Sequence, residues 1–380
     1  MEMMIPVPST EYYGRGVITN QNSLKIGQPE GDYVIMRGVD FGKGKKGFRA
    51  VHHGTEYGTA LVEIRLDSLD GKSIGVCACS SMKDWRWHRT LLGIRQGDPC
   101  SMDGVYDVWC EIEKTTGIHD VYLVFHRKCE YIRFGFTNDS PYKEKAYNPV
   151  PKKYERYEMA DTWEATDMLG RKIPSPEECP EKRDKKVGMF YWANLDGISC
   201  EPDNLTDIMK NWPQSEYDID HHAWHYGPYH WGKPLYGYYR NADPYVLRKH
   251  VIMLAAAGVD FIAFDCSNCS WHNKRGHFAL FEAFRQAKLD GINVPKVTFI
   301  MNWNANPNTE YMLRAMYQDI FKPGLYSDLW FMHEGKPVMM AFGDSIPEKG
   351  FNDLDTEFLN EMREFFTFRP CHAGYFSGPY

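Results

Sequence analysis

No apolar run in the sequence approaches the roughly 18 residues that a membrane-spanning helix needs. The opening, MEMMIPVPSTEYYGRG, lacks the basic n-region and the apolar h-region of a secretory leader. Positive charge is not in excess either. Lys and Arg number 44 against 51 Asp and Glu, a net charge of −7, which argues against a nucleic-acid footprint or a polybasic membrane patch. The ten cysteines are scattered and give no disulfide framework, since Cys77 and Cys79 would point to the same face of one strand. Cys266 and Cys269 form a C-x-x-C with no second pair at zinc spacing. His221, His222 and His225 form an HHxxH without a further ligand on a helix, so no metal or other cofactor is expected. No nucleophile elbow is read, which sets aside an esterase or sulfatase.

What the chain does have is bulk and aromatic rings. Its 380 residues, 43% hydrophobic, suffice for two or three domains with real cores. Aromatics reach 15%, with 11 Trp and 24 Tyr, and rings in surplus serve as flat platforms for apolar ring faces such as those of sugars.

Residues from about 14 to 138 read as strands with turn punctuation. The clearest are DYVIMR from Asp32, 47–51, ALVEIRL from Ala60, 73–79, 105–112 and 119–125, the spacing of an all-β sandwich. In ALVEIRL the alternation predicts a core face (Ala60, Val62, Ile64, Leu66) and a solvent face (Leu61, Glu63, Arg65). From 139 to 185 Pro, Lys, Glu and Tyr dominate without a period, a linker or strap.

From 186 to 380 strands alternate with helices. Asp243 as N-cap, Pro244 at the first helical position and Gly258 at the end bound a helix with an apolar face, and VDFIAF after it reads as a strand buried on both faces. VGMFYW reads as a buried strand before it, and VTFIMNW, KPVMMAFGD and FTFRP as strands after it. Four βα units and the start of a fifth imply part of a parallel (β/α)8 TIM-type barrel that stops early, with edges open to self-association.

Two stretches carry resemblances. GDYVIMRGVDFG, VEIRLDSLDGKSIG and TTGIHDVYLVF resemble, in order, strands of family 6 carbohydrate-binding modules, which implies a jelly-roll sandwich holding sugar. In that family a surface aromatic pair beside the strand before TTGIHD helps hold the sugar, and Tyr106 and Trp109 stand there. An insertion from about 82 to 104, with Trp85 and Trp87, interrupts the loop, and Cys129, Glu130 and Tyr131 replace the usual sugar-binding Asn. FYW, YRNADPYVLRKHVIMLAAAGVDFIAFDCSN and HEGKPVMMAFG resemble catalytic barrels related to glycoside hydrolase families 71 and 99. That resemblance implies two carboxylates late in the barrel, carried onto no residue here.

Sugar hydrolysis takes two carboxyl groups flanking the bond. Asp265 and Asp344, each at the end of a parallel strand, are the catalytic candidates. Asn268, Asn302 and Trp303 would line the same face, and His222, His225, Trp231 and Tyr239 the rim of a long aromatic loop. The chain thus reads as a carbohydrate-active protein, extracellular or periplasmic by its resemblance. It is either a polysaccharide-acting glycoside hydrolase with a sugar-binding module, or a non-catalytic carbohydrate-binding protein or inactive fragment of such an enzyme. Its partner is a poly- or oligosaccharide, not nucleic acid.

Overall fold

The computed structural model describes residues 3–7, 10–15, 17–18, 23–26, 32–54, 59–80, 106–127, 129–138, 164–175, 178, 185–193, 205–218, 220–223, 233–239, 243–267, 274–302, 307–342, 346, 348 and 353–371. The first unit is all β: β1 (Met3–Pro6), β2 (Glu11–Tyr13), β3 (Val17–Ile18), β4 (Leu24–Lys25), β5 (Tyr33–Asp40), β6 (Lys45–Gly54), β7 (Thr59–Leu66), β8 (Ser73–Ser80), β9 (Tyr106–Thr115), β10 (Ile118–Phe125) and β11 (Glu130–Thr137). The six strands read from the sequence between Asp32 and Phe125 are β5 to β10. They pair antiparallel into two sheets, β3-β4-β11-β6-β9 with β1 on β11, and β2-β5-β10-β7-β8. Alternate side chains from the two sheets, Phe48, Phe134 and Phe136 against Val62, Leu123 and Phe125, make a fully buried core. The chain changes sheets between β9 and β10 at Thr116 and Gly117. Gly117 has φ 82°, which is why TTGIHD has glycine at that point.

The second unit comprises β12 (Gly188–Tyr191), α1 (Leu205–Asn211), α2 (Pro244–Ala256), β13 (Phe261–Cys266), α3 (Lys274–Leu289), β14 (Lys296–Asn302), α4 (Pro307–Met316), a π-helical turn (Tyr317–Phe321), β15 (Met332–His333), β16 (Lys336–Phe342), α5 (Asp353–Phe365) and β17 (Thr367–Pro370). Strands β12, β13, β14, β16 and β17 are parallel neighbours in chain order, and β15 runs antiparallel to β16. Right-handed crossovers between sequential strands place the intervening helices on one face. Val251, Phe281, Met312 and Leu359 from α2 to α5 accordingly share a core with Ile262, Phe264, Val297, Phe299 and Met339. The intervening strand residues Ala263, Thr298, Ile300 and Val338 are buried as well, on the opposite face. Helix α2 has the ends its sequence encodes. The Asp243 carboxylate accepts from the N–H groups of Tyr245 at 2.9 Å and Val246 at 3.2 Å, and Gly258 closes it at φ 67°.

Three expectations are corrected. The described strands form no TIM-type barrel but an open sheet, because five parallel strands fall short of the eight that closure takes. Strand β12, read as buried, pairs among the described residues with β13 alone, and Met189 and Phe190, with Trp192 just after the strand, are exposed by 44, 53 and 45%. The face of β7 read as solvated is covered: Leu61 and Glu63 are 1% and 3% exposed.

The cover is the second unit. Helix α4 packs across β7 and β8, and Leu61 and Ala78 join the second unit's apolar core. The Gln318 amide, in the π-helical turn, accepts from the Ala78 N–H at 2.9 Å and donates to the Ala78 carbonyl at 3.1 Å, as a neighbouring strand would. Arg127 lies 5.2 Å over the Tyr311 ring. Buried Glu63 receives hydrogen bonds from His126 and Arg65. Burial raises its carboxyl, and those bonds outweigh it, holding it at about 2. No helix of the described residues is long and apolar enough to cross a membrane.

Candidate functional site

Strand β9 alternates between two environments. Val108, Cys110 and Ile112 enter the sandwich core, while Trp109, Glu111 and Glu113 face outward. Trp109 sits opposite Arg49 of β6, which pairs with Asp107. Gly47 stands against the indole: an added Cβ there would be 2.4, 2.7 and 2.7 Å from Nε1, Cε2 and Cζ2. Three neighbouring atoms of one edge at nearly equal distances mean that the Nε1–Cζ2 edge of the ring is turned against the glycine. Tyr106 heads the same strand, but its side chain, like Trp85 and Trp87, lies outside the described residues. Cys129 and Tyr131, where the family's sugar-binding Asn would be, are 4% and 0% exposed and face inward, so this segment offers a ligand no ring.

Trp109 forms one wall of a cleft of about 650 Å³ between the two units, with Glu111 and Glu113 beside it. Arg314, Tyr317, Gln318, Lys322, Phe358 and Glu361 form the facing wall. Every charge named here has a partner. Glu113 meets Lys72 at 2.6 Å, Glu111 meets Lys322 across the cleft at 3.7 Å, Glu361 accepts from the Tyr317 hydroxyl at 2.8 Å, and Arg314 meets Asp355 at 3.2 Å.

The other candidates lie in the second unit. Asp265, next to last in β13, is half-buried, its Oδ1 accepting the Ser267 N–H at 2.9 Å, so part of the carboxylate is committed to its own loop. Asp265 pairs in register with Ile300, two residues before Asn302, which places Asp265 and Asn302 on the same face at the C-terminal end of the sheet. Tyr239 lines a separate pocket of about 170 Å³ beside β12, together with Tyr191 and His250. The Tyr191 hydroxyl and His250 Nδ1 are 2.8 Å apart. Burial raises both tyrosines and lowers His250, so the pair is neutral around pH 7. His222 is exposed, edge-on to Trp212 with centroids 5.7 Å apart. Asp344, His225, Trp231, Asn268 and Trp303 lie outside the described residues.

The structure therefore divides the candidates rather than gathering them. Trp109 is in the cleft between units, Asp265 and Asn302 are at the sheet's end, and Tyr239 is in the small pocket. Sequence reasoning missed Gln318, Lys322 and His250, which carry no motif. The string GKSIG at 71–75 does have G-x-S-x-G spacing, but Ser73 opens an antiparallel strand, not the strand-to-helix turn that exposes a nucleophile. Among the described residues no three His, Cys, Asp or Glu side chains could hold a metal ion.

Comparison with known proteins bears on the first unit. The family described as carbohydrate binding module (family 6) matches residues 10–137. Endo-1,4-beta-xylanase A of Thermoclostridium stercorarium is 33% identical over 124 residues, which are 32% of this chain and 20% of that protein. A second xylanase A of that organism matches over 16% of its length, so the chain spans a fifth or less of the curated relatives it matches. Among solved structures, a family 6 module from Clostridium cellulolyticum in complex with xylose is 28% identical. The alignment covers 36% of this chain and 96% of that one, with a TM-score of 0.28. Another family 6 module, used for binding sub-site dissection, is 27% identical over 36% of this chain and 94% of its own, with a TM-score of 0.26. With two antiparallel sheets over the matched stretch and an outward tryptophan on β9, residues 10–137 form a family 6 carbohydrate-binding module.

Proposed function

We propose that this protein holds a polysaccharide through its sandwich and presents it to the α/β unit docked beside it. The observation that carries this reading is Trp109: a half-buried indole, its Nε1 edge set against Gly47, that lines a cleft on the outward side of a strand within the matched stretch. Such a ring offers a flat apolar surface to the C–H face of a sugar. Xylan is the first polymer to test, because the relatives are named as endo-1,4-beta-xylanases. Xylan and similar polysaccharides are met outside the cytoplasm, and an extracellular or periplasmic setting accompanies the reading.

Affinity electrophoresis of the full chain through gels containing xylan, β-glucan or mannan tests it. Retardation by at least one polymer, lost in Trp109→Ala, is expected. Wild type migrating freely in all of them sinks the reading.

Turnover is the second reading, favoured by the position of Asp265 at the end of a buried parallel strand, beside Asn302. Hydrolysis takes two carboxyl groups, and Asp344 is the proposed second. Reducing ends released from a bound polymer by wild type, and not by Asp265→Asn, would establish a hydrolase. Equal release by the variant would remove Asp265 from the chemistry.

A further inference from the structure

We propose that the cleft between the two units is a composite site for an uncharged oligosaccharide, held by Trp109 on one wall and by Tyr317 and Lys322 on the other. This rests on the reading of the sandwich as a sugar-binding module and goes beyond it, because half of the site belongs to the α/β unit. At about 650 Å³ the cleft has the size of a small-molecule site, not of a packing fault. The Nε1 edge of the Trp109 ring is held against Gly47, and the ring lines the cleft.

The ligand class follows from the charges. Glu111, Glu113, Glu361 and Arg314 are each already paired. An anion meeting Lys322 or Arg314, or a cation meeting Glu111 or Glu113, would have to compete with the ion partner already in place. A neutral polyhydroxyl ring would not, since a carboxylate or ammonium in an ion pair keeps lone pairs or N–H groups for hydroxyls. The lining mixes aromatic rings with hydrogen-bonding groups, which suits a sugar, apolar on its faces and polar at its rim. Lys322 and Glu111 come from different units and are 45% and 51% exposed at the side chain, so a ligand between them touches both units and favours their docking.

Isothermal titration of the full chain with xylotetraose, cellotetraose and laminaritetraose tests the site. At least one should bind with 1:1 stoichiometry. Trp109→Ala should abolish the heat, while Lys322→Ala and Tyr317→Phe should each weaken binding by about fivefold or more. Hydrogen exchange should slow on ligand addition in both β9 and residues 317–323. The half-exposed Lys322 side chain can be removed without a cavity, so loss of binding in its variant is not loss of fold.

The composite site is overturned if Trp109→Ala loses binding while both second-unit variants bind as wild type and residues 317–323 gain no protection. The sugar would then lie on the sandwich alone, and the proposed function would stand. No heat from any of the three probes also overturns it, and the polymer gels then decide the fate of the broader reading. Raising salt from about 50 to about 500 mM should change affinity less than about twofold, and a tenfold loss would contradict an uncharged ligand.

Discussion

Glu310 is the residue most at odds with its surroundings. It lies on α4, 2% exposed, and its Oε2 is buried with no hydrogen-bond partner among the described residues. Burial, and then the charge of Asp355, raise its carboxyl from 4.5 to about 7, against the pull of Arg314. The folded chain therefore binds this proton more tightly than the unfolded chain does. The group's contribution to stability is most favourable below pH 4.5, falls as pH rises toward 7, and stays low above that. Glu310→Gln should raise stability by on the order of 2 kcal/mol at about pH 8 and by almost nothing at about pH 4.5. Urea unfolding at the two pH values measures this, and equal gains at both would show that ionisation of Glu310 is not the cause. Nothing in the chain's pattern marked Glu310, because its environment comes from α5, more than forty residues away. Asp243 and Gly258 were legible for the opposite reason: each acts within its own turn of helix.

At the scale of elements, the π-helical turn Tyr317–Phe321 has a specific consequence. It sets Gln318 against the edge strand β8, where the amide meets both backbone groups of Ala78. An edge strand whose polar backbone is satisfied by a side chain cannot recruit another strand there. Gln318→Ala would leave the Ala78 N–H and carbonyl without that partner at a buried residue, a cost of about 1 to 3 kcal/mol. Native-state hydrogen exchange should show the Ala78 amide opening faster by a factor of ten or more, with the Val62 amide inside the sandwich unchanged. Unchanged protection at Ala78 would mean that the clamp contributes nothing. Strands β5 to β10 and helix α2 were readable from alternation and from caps, as was the alternation of strands with helices in the second unit. The clamp was not, since its partners are 240 residues apart, and neither was the open edge of β12, because closure depends on how many strands meet and not on any one strand's pattern.

For the whole molecule, the question is whether sandwich and α/β unit are one cooperative body. Leu61 points away from the sandwich core and is 1% exposed within the core of the other unit, alongside Ala78. A fully buried leucine contributes about 2 kcal/mol, and Gln318, Arg127 and the Lys322–Glu111 pair add to the same interface, so wild type should melt in one calorimetric transition. Leu61→Lys buries a charge at that interface and leaves the Val62 side of the strand intact, so it should uncouple the units at a cost of several kcal/mol. Two transitions are then expected, and the tetrasaccharide affinity of the cleft should fall with the docking that forms it. If wild type itself melts in two steps, the interface is too weak to couple the units. If Leu61→Lys melts in two steps and still binds as wild type, the sugar is held by the sandwich alone and docking has no part in recognition.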